Sequence, residues 1–265
     1  MVAQPDYTRL RSDKHVGIWG GPTGTGAVGI TDTAVPLAAE INNTGGTSLI
    51  LNWAPSVSWN DFDFGVQESE TLNDPSFADA ATSTTFGAKN YGGGISFYKP
   101  AKWDDNSNNH SLVYDQTSTP RTSMDVVMRI DGEKNNVTDA AADGDFVHVF
   151  RTITDSDANV WGQPDAHRRT VGFLSQGDAE FYTIVGAHTI TAGTTLTATV
   201  GDRGRIRAVV QDRDYSSALR FTTSNRAVLD VVRGGHYKAK SAGTATVTVT
   251  DEAAGTSTTV AVTVS

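Results

Sequence analysis

The residues best spaced for chemistry are Asp155-Ser156-Asp157-Ala158-Asn159, which set side-chain oxygens at the first, third and fifth positions, as a calcium loop does. Such a loop also needs glycine at its sixth position and a bidentate glutamate at its twelfth, where this chain has Val160 and Ala166. The segment therefore reads as an acidic hairpin tip. The glycine cluster Gly20-Gly21-Pro22-Thr23-Gly24-Thr25-Gly26 suggests a phosphate loop, but a Walker loop continues with Lys and Ser/Thr, and here Ala27-Val28 follow with no strand before them. It reads as part of a flexible arm. His15, His110, His148, His167, His188 and His236 fall singly, with no metal-type pairing at three or four residues, and a lone strand histidine such as His148 is usually packed or at the surface. No Gly-x-Ser-x-Gly elbow occurs. Cysteine is absent, which removes disulfides, thiolate metal sites and a cysteine nucleophile. The sequence predicts no enzyme and no cofactor or metal site.

Two polar faces remain. In residues 61–67, period-2 alternation sets Phe62, Phe64 and Val66 against Asp61, Asp63 and Gln67; in residues 124–131, Met124, Val126, Met128 and Ile130 oppose Asp125, Arg129 and Asp131. The apolar faces are expected in a core and the acidic faces at a solvated surface. Trp53, Trp59, Trp103 and Trp161 could form a sugar platform, but large rings in β-rich domains more often fill cores and subunit interfaces.

The elements that position these residues are mostly strands. Strand signals run through 48–53, 57–59, 62–66, 95–99, 124–131, 146–154, 170–175 and 180–185, separated by turn-forming clusters. A two-turn helix is predicted at 111–116, capped by the polar stretch 104–109 and stopped by Pro120, and a short one opened by Asp74-Pro75-Ser76 and running through Ala81. The first fifty residues read as a weakly patterned arm, structured only at Ile18-Trp19 and 36–41. No apolar run could span a bilayer, and the polar start from Met1 to Lys14 predicts no secretory signal.

Composition shifts near Gly186. Residues 188–265 hold nine Lys/Arg against six Asp/Glu, and residues 1–187 hold twelve against twenty-four, within a total net charge of −9. The acidic part cannot serve as a general phosphate binder. From Thr189 onward, threonine and valine alternate in short runs split by glycines, the pattern of a small antiparallel sandwich, with Gly186 to Gly193 expected as a hinge.

That C-terminal stretch resembles the bacterial Ig-like domain of group 2. The matching residues are Val200-Gly201-Asp202, Phe221-Thr222-Thr223-Ser224-Asn225, Ala227-Val228-Leu229-Asp230-Val231 and Ala239-Lys240-Ser241-Ala242-Gly243-Thr244-Ala245-Thr246-Val247-Thr248-Val249, with Phe221 where the family usually has Trp. The first 187 residues resemble the major tail tube protein of long-tailed, non-contractile bacteriophages. The resemblance is carried by Asn60-Asp61-Phe62-Asp63-Phe64-Gly65-Val66, Tyr91-Gly92-Gly93-Gly94-Ile95-Ser96-Phe97-Tyr98 and Arg168-Arg169-Thr170-Val171-Gly172-Phe173. The glycine-rich arm departs from the shortest members of that family.

These resemblances imply a mainly β chain: a tail-tube-type β-sandwich or barrel with one short helix (1–187), then a small Ig-like β-sandwich (188–265). They imply a virion tail component, assembled in the host cytoplasm, that polymerises into stacked, hexameric rings. Its partners would be its own copies, tape measure and tail terminator proteins, genomic DNA passing without specific contacts, and cell-envelope polymers touched by the Ig-like domain. Asp61, Asp63, Gln67, Asp125 and Asp131 become the expected lumen-facing residues, an acidic wall repelling DNA phosphates. The rival readings are a glycan-binding adhesin without tube formation and a glycan hydrolase with an accessory module.

Overall fold

The computed structural model describes residues 17–23, 29–44, 46, 48–58, 62–67, 71–72, 85–86, 90–100, 108–131, 139–160 and 167–265. The chain is mainly β, as expected, and divides into two compact units. The first comprises Met1–Thr33, Ala39–Ala141 and Val147–Phe181; the second comprises Ala34–Ala38, Ala142–Phe146 and Tyr182–Ser265.

The elements of the first part of the chain are β1 (Gly17–Pro22), α1 (Ala38–Ile41), β2 (Leu51–Asn52), β3 (Asp63–Gln67), β4 (Thr71–Leu72), β5 (Thr85–Phe86), β6 (Asn90–Tyr98), α2 (Asn109–Gln116), β7 (Ser123–Asp131), β8 (Phe146–Val160) and β9 (Arg168–Ile184). Seven strands form one sheet in the order β2-β1-β7-β8-β9-β6-β3, and β4 pairs with β5. One face carries an aromatic core. Trp53 meets Phe97 edge-on at 5.3 Å between centroids, Phe64 meets Phe150 at 5.1 Å, and Phe173 lies within 6 Å of both Trp53 and Phe64. Edge-to-face pairs of this kind add to the burial of the rings themselves. Trp53 thus belongs to the core, whereas Trp59, Trp103 and Trp161 lie outside the described residues, as do the proposed helix after Asp74 and the end of the 155–166 loop.

Helix α2 sits where its polar cap and Pro120 place it. Asn108 caps it by accepting the His110 N–H at 3.0 Å. Its last turn is clamped by the buried Arg169, whose guanidinium donates to the Tyr114 carbonyl at 2.9 Å and to the Thr117 hydroxyl.

Ile18-Trp19 are structured as expected, but their strand runs on through glycines that were read as part of a flexible arm. β1 lies inside the sheet, paired with β7 from Gly17↔Arg129 to Pro22↔Met124 and with β2 on its other side. Its glycines serve close packing: a side chain on Gly20 would overlap the Trp53 ring. Strand β9 is continuous where two strands were expected. Around Gln176-Gly177-Asp178 the Tyr91 hydroxyl accepts the Gln176 N–H at 3.1 Å and reaches the Arg151 and Asp178 carbonyls at 2.6 and 2.9 Å, supplying local hydrogen bonds.

Strand β3 depends on the glycine run of β6. Gly93 adopts φ 121°, and a Cβ there would overlap the Asp63 carbonyl oxygen of the paired strand. Gly93→Ala should therefore destabilise the first unit by about 3–5 kcal/mol through strain and lost pairing. Urea unfolding of the full chain checks this.

The second unit contains β10 (Ile190–Ala192), β11 (Thr195–Ala198), β12 (Arg203–Arg205), β13 (Ala208–Val210), β14 (Arg213–Asp214), β15 (Arg220–Thr223), β16 (Leu229–Val231), β17 (His236–Ala239), β18 (Gly243–Asp251) and β19 (Thr256–Val264). They form three sheets, β10-β13-β14, β11-β19-β18-β15 and β12-β17-β16. The alternating residues Ala245, Val247, Val249, Val260, Val262 and Val264 point into one core with Phe221, Leu229 and Val231. The chain entering the expected hinge is held within the second unit. Ile184 and Val185 are fully buried, Val185 N–H donates to Asp145, Gly144 N–H to Val185 and Gly186 N–H to Pro36, each at 2.9 Å.

Candidate functional site

The two polar faces read from the sequence fare differently. On β3, Asp63 and Gln67 are exposed while Phe64 between them is buried, so the alternation holds among the described side chains. Gln67 donates through Nε2 to the Gly92 carbonyl at 3.3 Å, which lays it along the neighbouring strand. Among the described residues β3 pairs with β6 alone and ends the seven-stranded sheet, so the Asp63 and Gln67 face lies on its end strand. Asp61 lies outside the described residues.

On β7 the solvated-face expectation is overturned. Asp125 is fully buried, and Asp131 at the strand end is half-buried. The Asp125–Arg129 face is covered by residues 29–33 and 139–141, so β7 is buried on both sides. The Ile30 N–H donates to Asp125 Oδ2 at 2.7 Å, and Arg151 Nε stands 3.6 Å from Oδ1, near enough to offset its charge but not to hydrogen-bond. Arg151 also donates to the Ile30 carbonyl at 3.0 Å and pairs with Asp178 at 3.1 Å, while the Thr33 hydroxyl reaches Asp178 at 3.3 Å. Arg129 reaches the Asp139 and Ala140 carbonyls at 3.5 and 3.4 Å and lies 5.3 Å from the Trp19 ring centroid.

Burial raises the Asp125 carboxyl to about 6, outweighing the opposing Ile30 N–H and Arg151. Between pH 3.8 and about 6 the folded chain therefore binds a proton that the unfolded chain releases, and this contribution to stability falls as pH rises through that window. Asp125 anchors the 29–33 segment and cannot line an open surface. Arg151 and Asp178, which complete this latch, carried no sequence signal, since each is a single charge in a long polar-apolar strand.

The second unit holds another polar centre that the sequence did not indicate. His188 is buried, with Nδ1 2.8 Å from Asp251 Oδ2 and Nε2 2.9 Å from the Ile184 carbonyl. His148, expected to be packed or at the surface, is nearly buried between Phe150 and Phe181, and burial lowers its pKa. Among the described residues no group of three or more His, Asp or Glu side chains could hold a metal.

The first unit is thus a mainly β fold with an exposed acidic position on the end strand of its sheet and a buried polar latch beneath the 29–33 segment. A family model for phage tail tube protein matches residues 4–188, more than half of the chain, and the chain belongs to that family. It is accordingly a structural component of a phage tail. No curated protein matches the chain.

Proposed function

We propose that this chain polymerises into stacked rings, six subunits to a ring, whose bore conducts the genome during ejection. The reading is carried by the family match over the acidic part of the chain. It is supported by β3, which ends the sheet among the described residues and would offer its backbone for pairing with a neighbour. The subunit does no chemistry. Its partners are its own copies, the tape measure and tail terminator proteins, and DNA that passes without specific contacts; assembly takes place in the host cytoplasm.

The tube domain spans 1–187 and a bacterial Ig-like domain 188–265, displayed on the tail exterior. Strands β15, β16 and β18 fall on the residues that resemble that domain, and Phe221 is buried in the core where the family has Trp. Asp61, Asp63, Gln67 and Asp131 remain proposed lumen residues; Asp125 is withdrawn from that set by its burial.

Negative-stain microscopy of the purified chain tests the reading, with rings or tubes expected. A chain lacking residues 1–16 should stay folded, since β1 begins at Gly17, and should form no tubes. A deletion reaching residue 30 would remove Ile18, Trp19 and Ile30 from buried positions and would test folding instead. Tubes of normal length without residues 1–16 would show that these residues take no part in assembly. Monomers alone from the full chain would refute polymerisation.

A further inference from the structure

We infer that the exposed face of the β12-β17-β16 sheet is a binding site for a phosphate-bearing polymer of the host cell envelope. Access to such a polymer rests on the exterior display proposed above. The strand register sets Arg203 opposite Lys238 and Arg205 opposite His236. Residues two apart on a strand share a face, so these four side chains form two rows about 7 Å apart. All four are exposed. They line an open cleft of about 640 Å3.

The charges around this cleft are unequally matched. Arg205 is fixed by a fork on Asp214 at 3.2 and 3.4 Å and by donation to the Gly234 carbonyl at 2.9 Å. Arg207 shares Asp214 at 3.5 Å, and Asp230, which lines the cleft opposite Lys238 in the register, is taken by Lys240 at 3.0 Å. Arg203 and Lys238 face each other across the strands, and no carboxylate among the described residues lies within ion-pair distance of either. Like charges set directly opposite destabilise a sheet. An anion seated between them removes that repulsion, and a chain of phosphates can engage both rows at once.

A linear polymer suits the site better than a single ion, because the cleft is open and its cations extend along the strands. Duplex DNA is the poorer occupant, since the rest of the chain carries twice as many acidic as basic residues. The acidic part of a second copy is the competing occupant.

The test uses the full chain with fluorescently labelled long-chain inorganic polyphosphate as the probe. Arg203→Gln with Lys238→Gln should weaken binding at least tenfold and lower the slope of log affinity against log salt by about 1–2. Thr197→Glu with Thr259→Glu makes the same net-charge change at exposed positions of the other large sheet, and should leave affinity within about twofold. Equal losses in both variants would reduce the effect to net charge and overturn the site. So would an absence of polyphosphate binding, or a loss of self-association confined to the Arg203/Lys238 variant in sedimentation, which would assign the face to a second copy. Negative staining of the same samples separates the two readings. Tubes without polyphosphate binding refute the site alone, and binding without tubes refutes the conduit alone.

Discussion

Replacing His188 by alanine should destabilise the second unit by about 3–5 kcal/mol, the usual effect of removing one partner from a buried ion pair. The geometry supports a charged pair. Nε2 faces a carbonyl and Nδ1 faces a carboxylate oxygen, so both nitrogens are required as donors, provided Asp251 is ionised. Burial pushes the Asp251 carboxyl up, but the His188 ring and the Ala254 and Ala253 N–H groups outweigh it and hold the carboxyl below 3.8. The imidazolium thus ties Ile184, near the start of the unit's longest segment, to the end of β18, and the Thr256 hydroxyl adds a bond to the His188 carbonyl at 3.0 Å. Alanine would leave Asp251 buried with only its two backbone donors.

A lowered carboxylate pKa contributes stability above the unfolded-state value of 3.8 and loses it as the pH falls through the lower folded value. The gap between wild type and His188→Ala should persist at neutral pH and close in strong acid. Urea unfolding at several pH values checks this. A second check is the double variant with Asp251→Ala, which should cost less than the two single changes together. Additive losses, or a gap that widens below pH 4, would show that the two side chains do not act as a pair.

The parts of this molecule legible in the sequence are those where local pattern and environment agree. Helix α2 follows from the polar stretch before it, its Asn108 cap and Pro120 after it. The C-terminal strands follow from alternating valines that share one core. The failures share one physical source, contacts supplied by segments distant in the sequence. Asp125 and Arg129 alternate with apolar residues as a solvated face would, yet both are buried because backbone groups of Ile30, Asp139 and Ala140 meet them. Those partners come from segments with no periodicity, which local pattern cannot place. The same applies to β1, whose glycines resemble a loop until Trp53 is seen packed against them. His188 and Asp251 stand 63 residues apart, so only the folded chain brings them together. On β3 no covering segment among the described residues intervenes at Asp63 and Gln67, and there the alternation gives the right exposure.

That exposed pair carries the other large expected effect, which rests on the conduit reading. Asp63→Lys with Gln67→Lys changes two exposed side chains on one strand and leaves Phe64 in its core, so folding stability should shift by less than about 1 kcal/mol. Tubes should form at normal length. The effect should fall on DNA passage. In a stacked tube every ring repeats the change, so a wall that repelled phosphates now offers two cations per subunit along the whole bore. Phosphate contacts release counterions and weaken steeply with salt, and even a small attraction per site accumulates over many rings. Ejection from particles carrying the variant should slow at least about tenfold in low salt and recover in part as salt is raised. Thr197→Lys with Thr259→Lys, which adds cations to the second unit, should leave ejection unchanged if that unit lies outside the tube. Normal tails with unchanged low-salt ejection in the β3 variant would remove Asp63 and Gln67 from the channel wall. The side-chain face of β3 would then be assigned, with its edge, to contacts between subunits, where the same lysines would be expected to impair ring closure instead.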